Sequence, residues 1–213
     1  MIQKYLYGVP FDTESVVAPI PASQGEPPVG TVKTSESGFC FACPLAEGDR
    51  VYGLGEANRG INKRGFVYVS DNVDDGLHTE NKQRMYAAHN FIVISGQQNL
   101  GLFFDYPARI RFDIGFTRRD WLEVTCERAD LALYVINGDS ACDVVKQFRA
   151  IIGRSYSPPK FAFGFGQSRY GYKTQANFEE VVAKHRQAHI PLDMVYMDID
   201  YMDHYKDLSL IHI

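Results

Sequence analysis

A strand, a helix and a second strand follow one another near the C-terminal end of the chain, and this succession constrains the fold more than any other feature. Residues 161–167, FAFGFGQ, are an apolar run that predicts a buried strand. A helical pattern begins after Thr174, a residue type favoured at helix N-termini, and continues through His189. Residues 192–201 predict the second strand. Because strands joined through a helix pair in parallel with a right-handed crossover, the stretch predicts a βαβ unit.

Two details of the sequence predict how this unit packs. Gly164 and Gly166 interrupt the first strand, as expected where strands crowd or a ligand approaches. The helix presents a stripe that includes Phe178, Val181 and His185. A histidine on such a stripe is more often packed than ligating, and we interpret His185 as a packed residue.

The preceding residues, 1–156, are typical of β structure. Apolar and aromatic runs occupy residues 30–45, 66–71, 90–96, 100–106, 109–116, 121–127 and 131–138. Glycine, asparagine, aspartate and proline separate them at short spacing, as in all-β domains. In 109–116 the apolar and polar residues alternate, which indicates a strand with one solvated face. Many short strands in series predict an antiparallel β-sandwich.

The pattern changes between residues 139 and 160. Residues 139–153 have helical periodicity, with Asp139 or Ser140 available as an N-cap and Gly153 as the end. Two adjacent prolines follow at 158 and 159, and they cannot lie inside a helix or a central strand. We therefore predict a sandwich domain over residues 1–157 and a second domain over residues 158–213.

The overall composition excludes several classes of protein. The formal net charge is −4, whereas a nucleic-acid-binding protein usually carries a basic stripe. No apolar segment is long enough to span a bilayer, and the N-terminus does not resemble a secretory signal peptide. The four cysteines are sparse for a disulfide-stabilised secreted protein. We expect a cytoplasmic protein that binds neither nucleic acid nor membranes.

Cys40 and Cys43 form a lone C-x-x-C motif. A metal site would need two more ligands at suitable spacing, and a redox site would need a thioredoxin-like setting. Neither is evident, so we interpret both as buried or half-buried thiols, with a redox or metal role as the alternative.

Polar and aromatic residues follow both strands of the predicted βαβ unit. Tyr170 and Tyr172 come after the first strand, and Asp198, Asp200 and Asp203 come at the end of the second. Sites in parallel α/β sheets form at the carboxyl ends of the strands. Carboxylates can accept hydrogen bonds from sugar hydroxyls, and aromatic rings can cover the C–H face of a pyranose. The pattern is therefore compatible with a sugar site, and equally with tyrosines in the core or rim and an Asp200 that binds a neighbouring strand or Arg169.

Several separated motifs resemble glycoside hydrolase family 31, the retaining α-glucosidases and α-xylosidases. They are SPPKFAFGFGQSRYGY, IPLDMVYMDIDYMD, VYGLGE, LGLFFDYPARIRFDIG and VVKQFRAIIGRSYSPPK. The resemblance covers roughly residues 45–207. It implies a galactose mutarotase-like N-terminal β-sandwich followed by the first βαβ unit of a truncated (β/α)8 TIM barrel, with no metal or organic cofactor.

The resemblance also implies substrate-binding residues. Asp198 matches the aspartate that holds hydroxyls of the non-reducing-end sugar, and Ile199 matches the apolar residue that packs on the same sugar. Tyr170 matches the aromatic residue that lines the pocket, where other members carry Trp. A sandwich loop of the family places one further aspartate on the substrate. In the loop 70–83 we assign that role to Asp74.

Asp75 and Asp71 are the second choices for this role. Asp198 and Asp200 are alternate residues of the predicted strand, so we expect their side chains to point to opposite faces. On that expectation the two carboxylates cannot both serve one glycosidic bond.

The resemblance implies a nucleophile and an acid/base carboxyl, which retaining glycosidases hold about 5–5.5 Å apart. The family's W-x-D-M-N-E-like nucleophile motif does not occur in the 213 residues, and neither does the motif of the acid/base. No residue of this chain is therefore assigned a catalytic role. We expect the chain to be inactive by itself. Residues 208–213, LSLIHI, depart from the family pattern, and we interpret them as a non-native tail.

The function expected of the whole protein is hydrolysis of α-linked glucose from the non-reducing ends of oligosaccharides. α-Xylosidase activity is the alternative within the family. A non-catalytic carbohydrate-binding sandwich is the alternative from another class. The βαβ unit argues against that last alternative, because a free-standing binding module has no use for an unclosed parallel sheet edge.

Overall fold

The computed structural model describes residues 1–36 and 38–206. The chain divides into two compact units, Met1–Arg154 and Ser155–Ile213. The predicted non-native tail at 208–213 lies outside the described residues.

The first unit is a β-sandwich of two five-stranded antiparallel sheets. Its strands are Ile2–Tyr7 (β1), Thr31–Ser35 (β2), Gly38–Pro44 (β3), Arg50–Gly55 (β4), Phe66–Ser70 (β5), Ala88–Ser95 (β6), Asn99–Asp105 (β7), Ile110–Ile114 (β8), Trp121–Cys126 (β9) and Leu131–Gly138 (β10). One sheet has the order β1-β10-β7-β6-β4, and the other has the order β2-β3-β9-β8-β5. The predicted sandwich is confirmed, with the run 30–45 folded as the hairpin β2–β3 and with β1 as an additional strand.

Aromatic side chains join the two sheets. The ring of Phe104 on β7 contacts three rings of the opposite sheet edge-on, with centroid distances of 6.3 Å to Phe39, 5.7 Å to Phe41 and 5.8 Å to Phe112. Phe41, Phe104 and Phe112 are completely buried. Each fully buried aromatic ring contributes roughly 1.5–3 kcal/mol of hydrophobic stabilisation, so this cluster anchors the sandwich.

The alternation along β8 is confirmed on its apolar face and corrected on its polar face. Ile110, Phe112 and Ile114 are fully buried, as predicted. Asp113, expected in solvent, is only 3% exposed. Its carboxylate accepts hydrogen bonds from the backbone of the following turn and from Thr117, which buries it.

A helix covers the outer face of the sheet that contains β7 and β10. It is α1, Ala141–Ile152, with Ser140 as its N-cap and Gly153 as its C-cap, as predicted. Phe148 stacks on Phe91 at a centroid distance of 3.8 Å. A Cβ on Gly101 would lie 2.6 Å from Val144 of the helix, so only glycine permits this approach. With sheet on one side and helix on the other, the strand Leu131–Gly138 is buried from Leu131 to Ile136.

The second unit is a βαβ unit. It contains a 3₁₀ turn at Lys160–Phe163, strand β11 at Gly166–Gln167, helix α2 at Gln175–Gln187, strand β12 at Met194–Val195 and a 3₁₀ turn at Asp203–Tyr205. Strands β11 and β12 pair in parallel, as predicted. Thr174 caps α2 in a capping box with Asn177, which fixes the start of the helix where the sequence placed it.

The two strands of this unit are shorter than predicted, and the first is also more exposed. The sequence predicted a buried strand over residues 161–167 and a second strand over residues 192–201, whereas regular pairing is restricted to two residues in each. Phe161, Phe163 and Phe165 are all exposed. A parallel strand becomes long and buried when neighbours flank both of its edges and helices cover both faces. In the described part of this unit each strand has one neighbour and one helix.

The C-x-x-C residues lie on strand β3. Residues three apart on a strand point to opposite faces of the sheet, so Cys40 and Cys43 diverge. Cys43 is buried and Cys40 is half-buried, and both are free thiols. Burial raises the pKa of the Cys43 thiol to about 12. A low reactivity follows, because thiolates are the reactive form.

Among residues 1–36 and 38–206, no helix combines the length and the apolar character that crossing a membrane would require.

Candidate functional site

Two hydrogen bonds between Asp193 and Phe165 hold the two strands of the second unit side by side. The backbone amide of Asp193 donates to the carbonyl of Phe165 at 2.9 Å. The amide of Phe165 donates in return to the Asp193 carboxylate at 3.0 Å. A Cβ on Gly164 would lie 2.0 Å from that carboxylate, and one on Gly166 would lie 2.7 Å from the ring of Tyr196. The predicted need for glycine at these crowded positions is confirmed.

Parallel pairing brings the carboxyl ends of β11 and β12 to one edge. The amide of Tyr196 donates to the carbonyl of Gln167 at 2.9 Å and extends the pairing just past β12. The loops 168–174 and 196–206 therefore leave the sheet at the same edge, which is where parallel α/β sheets place their sites. Tyr170, Asp198 and Ile199 all lie in these two loops.

Of the two tyrosines after β11, only Tyr170 is available to a ligand. Tyr172 is 5% exposed, packs on Phe178 at a centroid distance of 5.2 Å, and accepts a hydrogen bond from Gln167. Tyr170 is 62% exposed. The interpretation of these tyrosines as core residues therefore holds for Tyr172 and not for Tyr170.

Asp198 and Ile199 are exposed at the turn after β12. Asp198 has a left-handed backbone, with φ of 51°, which is uncommon for a residue other than glycine. Its carboxylate accepts a hydrogen bond from the backbone amide of Ile199 at 2.8 Å. The second carboxylate oxygen of Asp198 has no hydrogen-bond partner within residues 1–36 and 38–206.

The expected strand alternation of Asp198 and Asp200 is wrong, because both residues lie after the end of β12 at Val195. Their surroundings nevertheless differ. Asp198 is exposed, whereas Asp200 is partly buried and accepts a hydrogen bond from the Tyr205 hydroxyl at 3.4 Å. The sequence reasoning missed Tyr205. The available signal was its position in the same stretch of acids and aromatics that ends the second strand.

In the first unit, the acids of the loop 70–83 have different partners. Asp71 pairs with Arg84 at 2.6 Å and with Arg109 at 2.9 Å, and hydrogen bonds from these two arginines hold the pKa of its carboxyl below the usual range. Asp75 pairs with Lys82 and accepts a hydrogen bond from the amide of Leu77. Both acids therefore hold the loop in place.

Asp74 lies between these acids and differs from both. It is exposed, and the described part of the chain gives it no hydrogen bond or ion pair. Its carboxylate is the one of the three for which no described residue supplies an ion-pair partner. The order of preference among Asp74, Asp75 and Asp71 that the sequence suggested stays a prediction, and this difference in partners supports it.

The structure therefore places Tyr170, Asp198 and Ile199 in the two loops that follow β11 and β12, and Asp74 in a loop of the first unit. Exposed carboxylate, aromatic and aliphatic side chains are the groups that can bind a hydroxylated, partly apolar ligand. No group of three or more His, Cys, Asp or Glu able to hold a metal ion occurs in the part of the chain that the structure describes.

Comparison with known protein families gives two matches. Residues 25–113 match the glycosyl hydrolase 31 N-terminal galactose mutarotase-like domain. Residues 155–212 match the glycosyl hydrolases family 31 TIM-barrel domain. The two matches fall on the sandwich and on the βαβ unit.

Individual relatives agree with these matches. Alpha-glucosidase 2 of Bacillus thermoamyloliquefaciens is 32% identical over 83% of this chain and 23% of its own length. The alpha-xylosidase of Saccharolobus solfataricus is 34% identical over 76% of this chain and 22% of its own. A family 31 dextranase of Flavobacterium johnsoniae, solved in complex with glucose, superposes with a TM-score of 0.74 at 26% identity, covering 80% of this chain and 21% of its own.

These relatives are much longer than the chain, which spans about a quarter of the length of the curated proteins it matches. The matched portions are the N-terminal sandwich and the beginning of the barrel domain, in the order in which the structure has them. The agreement extends from separate sequence motifs to the three-dimensional fold. The chain belongs to glycoside hydrolase family 31.

Proposed function

We propose that the protein to which this chain belongs is a retaining glycosidase that releases α-linked glucose from the non-reducing ends of oligosaccharides. The observation that carries the proposal is that Tyr170, Asp198 and Ile199 are all exposed in the two loops at the carboxyl ends of β11 and β12. In the family resemblance, these positions hold the sugar at the cleavage point. Membership of a glycosidase family supplies the reaction class.

Asp198 is the residue that we expect to contribute most to sugar binding. Its free carboxylate oxygen can accept charge-assisted hydrogen bonds from hydroxyls, which are roughly twice as strong as neutral ones. Ile199 and Tyr170 supply apolar cover for the sugar ring. Asp74, in the sandwich domain that we take as residues 1–157, is the fourth residue that we propose to bind substrate, and we take the barrel domain to begin at residue 158.

The chain by itself is proposed to be inactive. Its 213 residues contain no W-x-D-M-N-E-like motif for the nucleophile. A retaining mechanism requires two carboxyl groups about 5–5.5 Å apart. Asp200 cannot supply the second group, because one of its carboxylate oxygens is buried and the other binds Tyr205.

The test compares Asp198→Asn with the unsubstituted intact protein on 4-nitrophenyl α-D-glucopyranoside. We expect kcat/KM to fall by an amount that corresponds to about 2–4 kcal/mol of transition-state stabilisation, through loss of charge-assisted bonds to sugar hydroxyls. The matched control is Asp203→Asn in the same loop, with an expected effect of less than about 1 kcal/mol. An unchanged kcat/KM for Asp198→Asn would remove Asp198 from the site.

α-Xylosidase activity is the second candidate, and the similarity to the Saccharolobus solfataricus alpha-xylosidase favours it. A parallel assay with 4-nitrophenyl α-D-xylopyranoside separates the two candidates. Preference for the glucoside by kcat/KM supports the first, and preference for the xyloside supports the second. A non-catalytic carbohydrate-binding role would leave both substrates intact.

The proposal includes an α-glucoside oligosaccharide as the partner and the cytoplasm as the location. All four cysteines are free thiols, which is usual in reducing compartments. The net charge of −4 gives no support to a nucleic-acid partner.

A further inference from the structure

Two residues of the connection between β4 and β5 bind the loop that follows β5. The side-chain amide of Asn58 donates to the carbonyl of Thr79 at 3.0 Å, and Nε of Arg59 donates to the carbonyl of Glu80 at 2.7 Å. Nη1 of Arg59 also donates to the carbonyl of Val67 on β5 at 3.4 Å, which is a longer and weaker bond. Arg59 therefore links the strand from which the loop departs to the part of the loop that returns towards β6.

Aromatic rings of β5 hold the Arg59 side chain in place. Its guanidinium carbon lies 4.2 Å from the centroid of the Phe66 ring and 5.3 Å from that of Tyr68. A cation within about 6 Å of a ring centroid is attracted by the electrons of the ring. Arg59 is half-buried, and its backbone is left-handed, with φ of 67°, a conformation that persists in a non-glycine residue where contacts hold it. The guanidinium is therefore fixed independently of the loop that it binds.

Asp74 lies within the span of the loop that this link closes. Its carboxylate is exposed, and no described residue supplies an ion-pair partner, so its position depends on the backbone of the loop. A loop that orders only when a ligand binds loses conformational entropy at that moment. A bond across the loop orders it beforehand, which reduces the cost of binding.

We propose that Arg59 is a positioning residue that holds the loop carrying Asp74 in the conformation that binds the sugar. A guanidinium suits this role because its planar set of donors reaches two carbonyls while it lies against an aromatic ring, and a lysine ammonium does not reproduce that geometry. The inference rests on the proposed function, because it requires Asp74 to bind substrate. Arg59 acts through the loop and does not touch the sugar.

The kinetic test uses Arg59→Met in the intact protein with 4-nitrophenyl α-D-glucopyranoside. Methionine keeps an unbranched apolar side chain against the rings and removes the charge and the donors. We expect KM to rise about three- to tenfold and kcat to change by less than about twofold, because the loop affects ground-state and transition-state binding alike. In the Asp74→Ala background, Arg59→Met should leave KM unchanged.

Arg118→Met is the matched control. The guanidinium carbon of Arg118 lies 4.5 Å from the centroid of the Trp121 ring, which is a similar contact on the same sheet. Arg118 follows the Ile114 end of β8, whereas the loop departs beside the Ile110 end, because Ser70 pairs with Ile110. We expect this substitution to change neither KM nor kcat.

A purely structural role would give a different result. If Arg59→Met raises KM by the same factor in the Asp74→Ala background, the effect does not pass through Asp74 and the positioning role is refuted. An unchanged KM in Arg59→Lys would show that charge alone suffices, which would overturn the role assigned to the two hydrogen bonds.

A binding assay separates failure of this inference from failure of the proposed function. The Kd for glucose, measured by calorimetry on the same variants, replaces KM if no glucoside is cleaved. In that case the proposed reaction fails, and the same dependence on Asp74 in Kd would still support positioning. Absence of glucose binding by the unsubstituted protein would overturn both.

A second readout needs neither activity nor sugar. The amide of Val73 donates to the carbonyl of Met85 at 3.0 Å, and the amide of Lys82 donates to that of Thr79 at 3.1 Å, so exchange of these hydrogens requires the loop to open. We expect Arg59→Met to accelerate both by about tenfold, and Arg118→Met to leave them unchanged. Unchanged exchange in Arg59→Met would show that the link does not hold the loop, which would refute the proposal.

Discussion

Replacing Gly164 by alanine tests how the strands that carry the site are held together. The added Cβ would lie 2.0 Å from a carboxylate oxygen of Asp193, and the next two nearest atoms also belong to the Asp193 side chain. The backbone at Gly164, with φ of −90°, suits alanine. The substitution therefore acts by displacing the Asp193 carboxylate from the amide of Phe165, which it accepts at 3.0 Å.

The magnitude follows from that one lost contact. Hydrogen bonds to charged groups contribute about 1.5–3 kcal/mol, and exposure of Asp193 puts this one near the lower end of the range. Glycine-to-alanine changes at compatible positions stabilise by about 0.4–1 kcal/mol through the unfolded state. We expect a net loss of about 0.5–1.5 kcal/mol in the free energy of local opening for Gly164→Ala.

Hydrogen exchange of the amides in residues 161–167 of the intact protein measures this opening, because local exchange reports local stability. In the Asp193→Gly background all three of the Asp193 atoms nearest that Cβ are absent, so Gly164→Ala should be neutral or stabilising. Gly48→Ala, where a Cβ would meet no atom within 4 Å, is the control. If Gly164→Ala destabilises equally with and without Asp193, displacement of the Asp193 carboxylate from the Phe165 amide is not the cause.

Three further predictions concern the sandwich and the isolated chain. Burial alone would raise the pKa of Asp113, but hydrogen bonds, first from Thr117 and then from Arg111 and Phe116, hold it below its usual range. The stability from Asp113 is therefore present above its unfolded pKa of about 3.9 and lost as pH falls through the lower folded value. Asp113→Asn should cost about 1–3 kcal/mol in urea unfolding at pH 7 and less at pH 2, and an equal cost at both would contradict this sign. Asp74→Ala should raise KM for an α-glucoside without changing Tm. Asp75→Ala, which loses the Lys82 ion pair, should instead increase hydrogen exchange in the loop. The reverse pattern would make Asp75 the substrate-binding residue and Asp74 the structural one. In the isolated 213-residue chain, chymotrypsin should cleave first near the exposed residues Phe161, Phe163 and Phe165 and leave a resistant sandwich, and uniform resistance through Tyr205 would contradict this expectation.

The sandwich could be predicted because the order of apolar and polar residues along each strand indicates which of its faces are buried. Residues 131–136 have no alternation, and the structure covers both faces of that strand, with the opposite sheet on one side and α1 on the other. Ile110, Phe112 and Ile114 alternate with polar residues and point into the core. The burial of Asp113 could not be predicted, because it depends on a turn that folds back onto the strand.

Strand length in the second unit and the roles of the loop acids depend on non-local contacts. A parallel strand obtains its length from the neighbours that pair with it, and the composition of residues 161–167 does not encode them. Asp71, Asp74 and Asp75 look equivalent in sequence. The structure distinguishes them because Arg109, distant in sequence, reaches Asp71, and no described partner reaches Asp74.

The most direct test of the proposed function is the anomeric configuration of the first product. The intact protein is mixed with 4-nitrophenyl α-D-glucopyranoside, which releases a single sugar, and that sugar is followed by proton NMR before mutarotation. We expect α-glucose to appear first, because a retaining glycosidase preserves configuration at the cleaved bond. Initial release of β-glucose, or no release of glucose from this or any other α-glucoside, would contradict it.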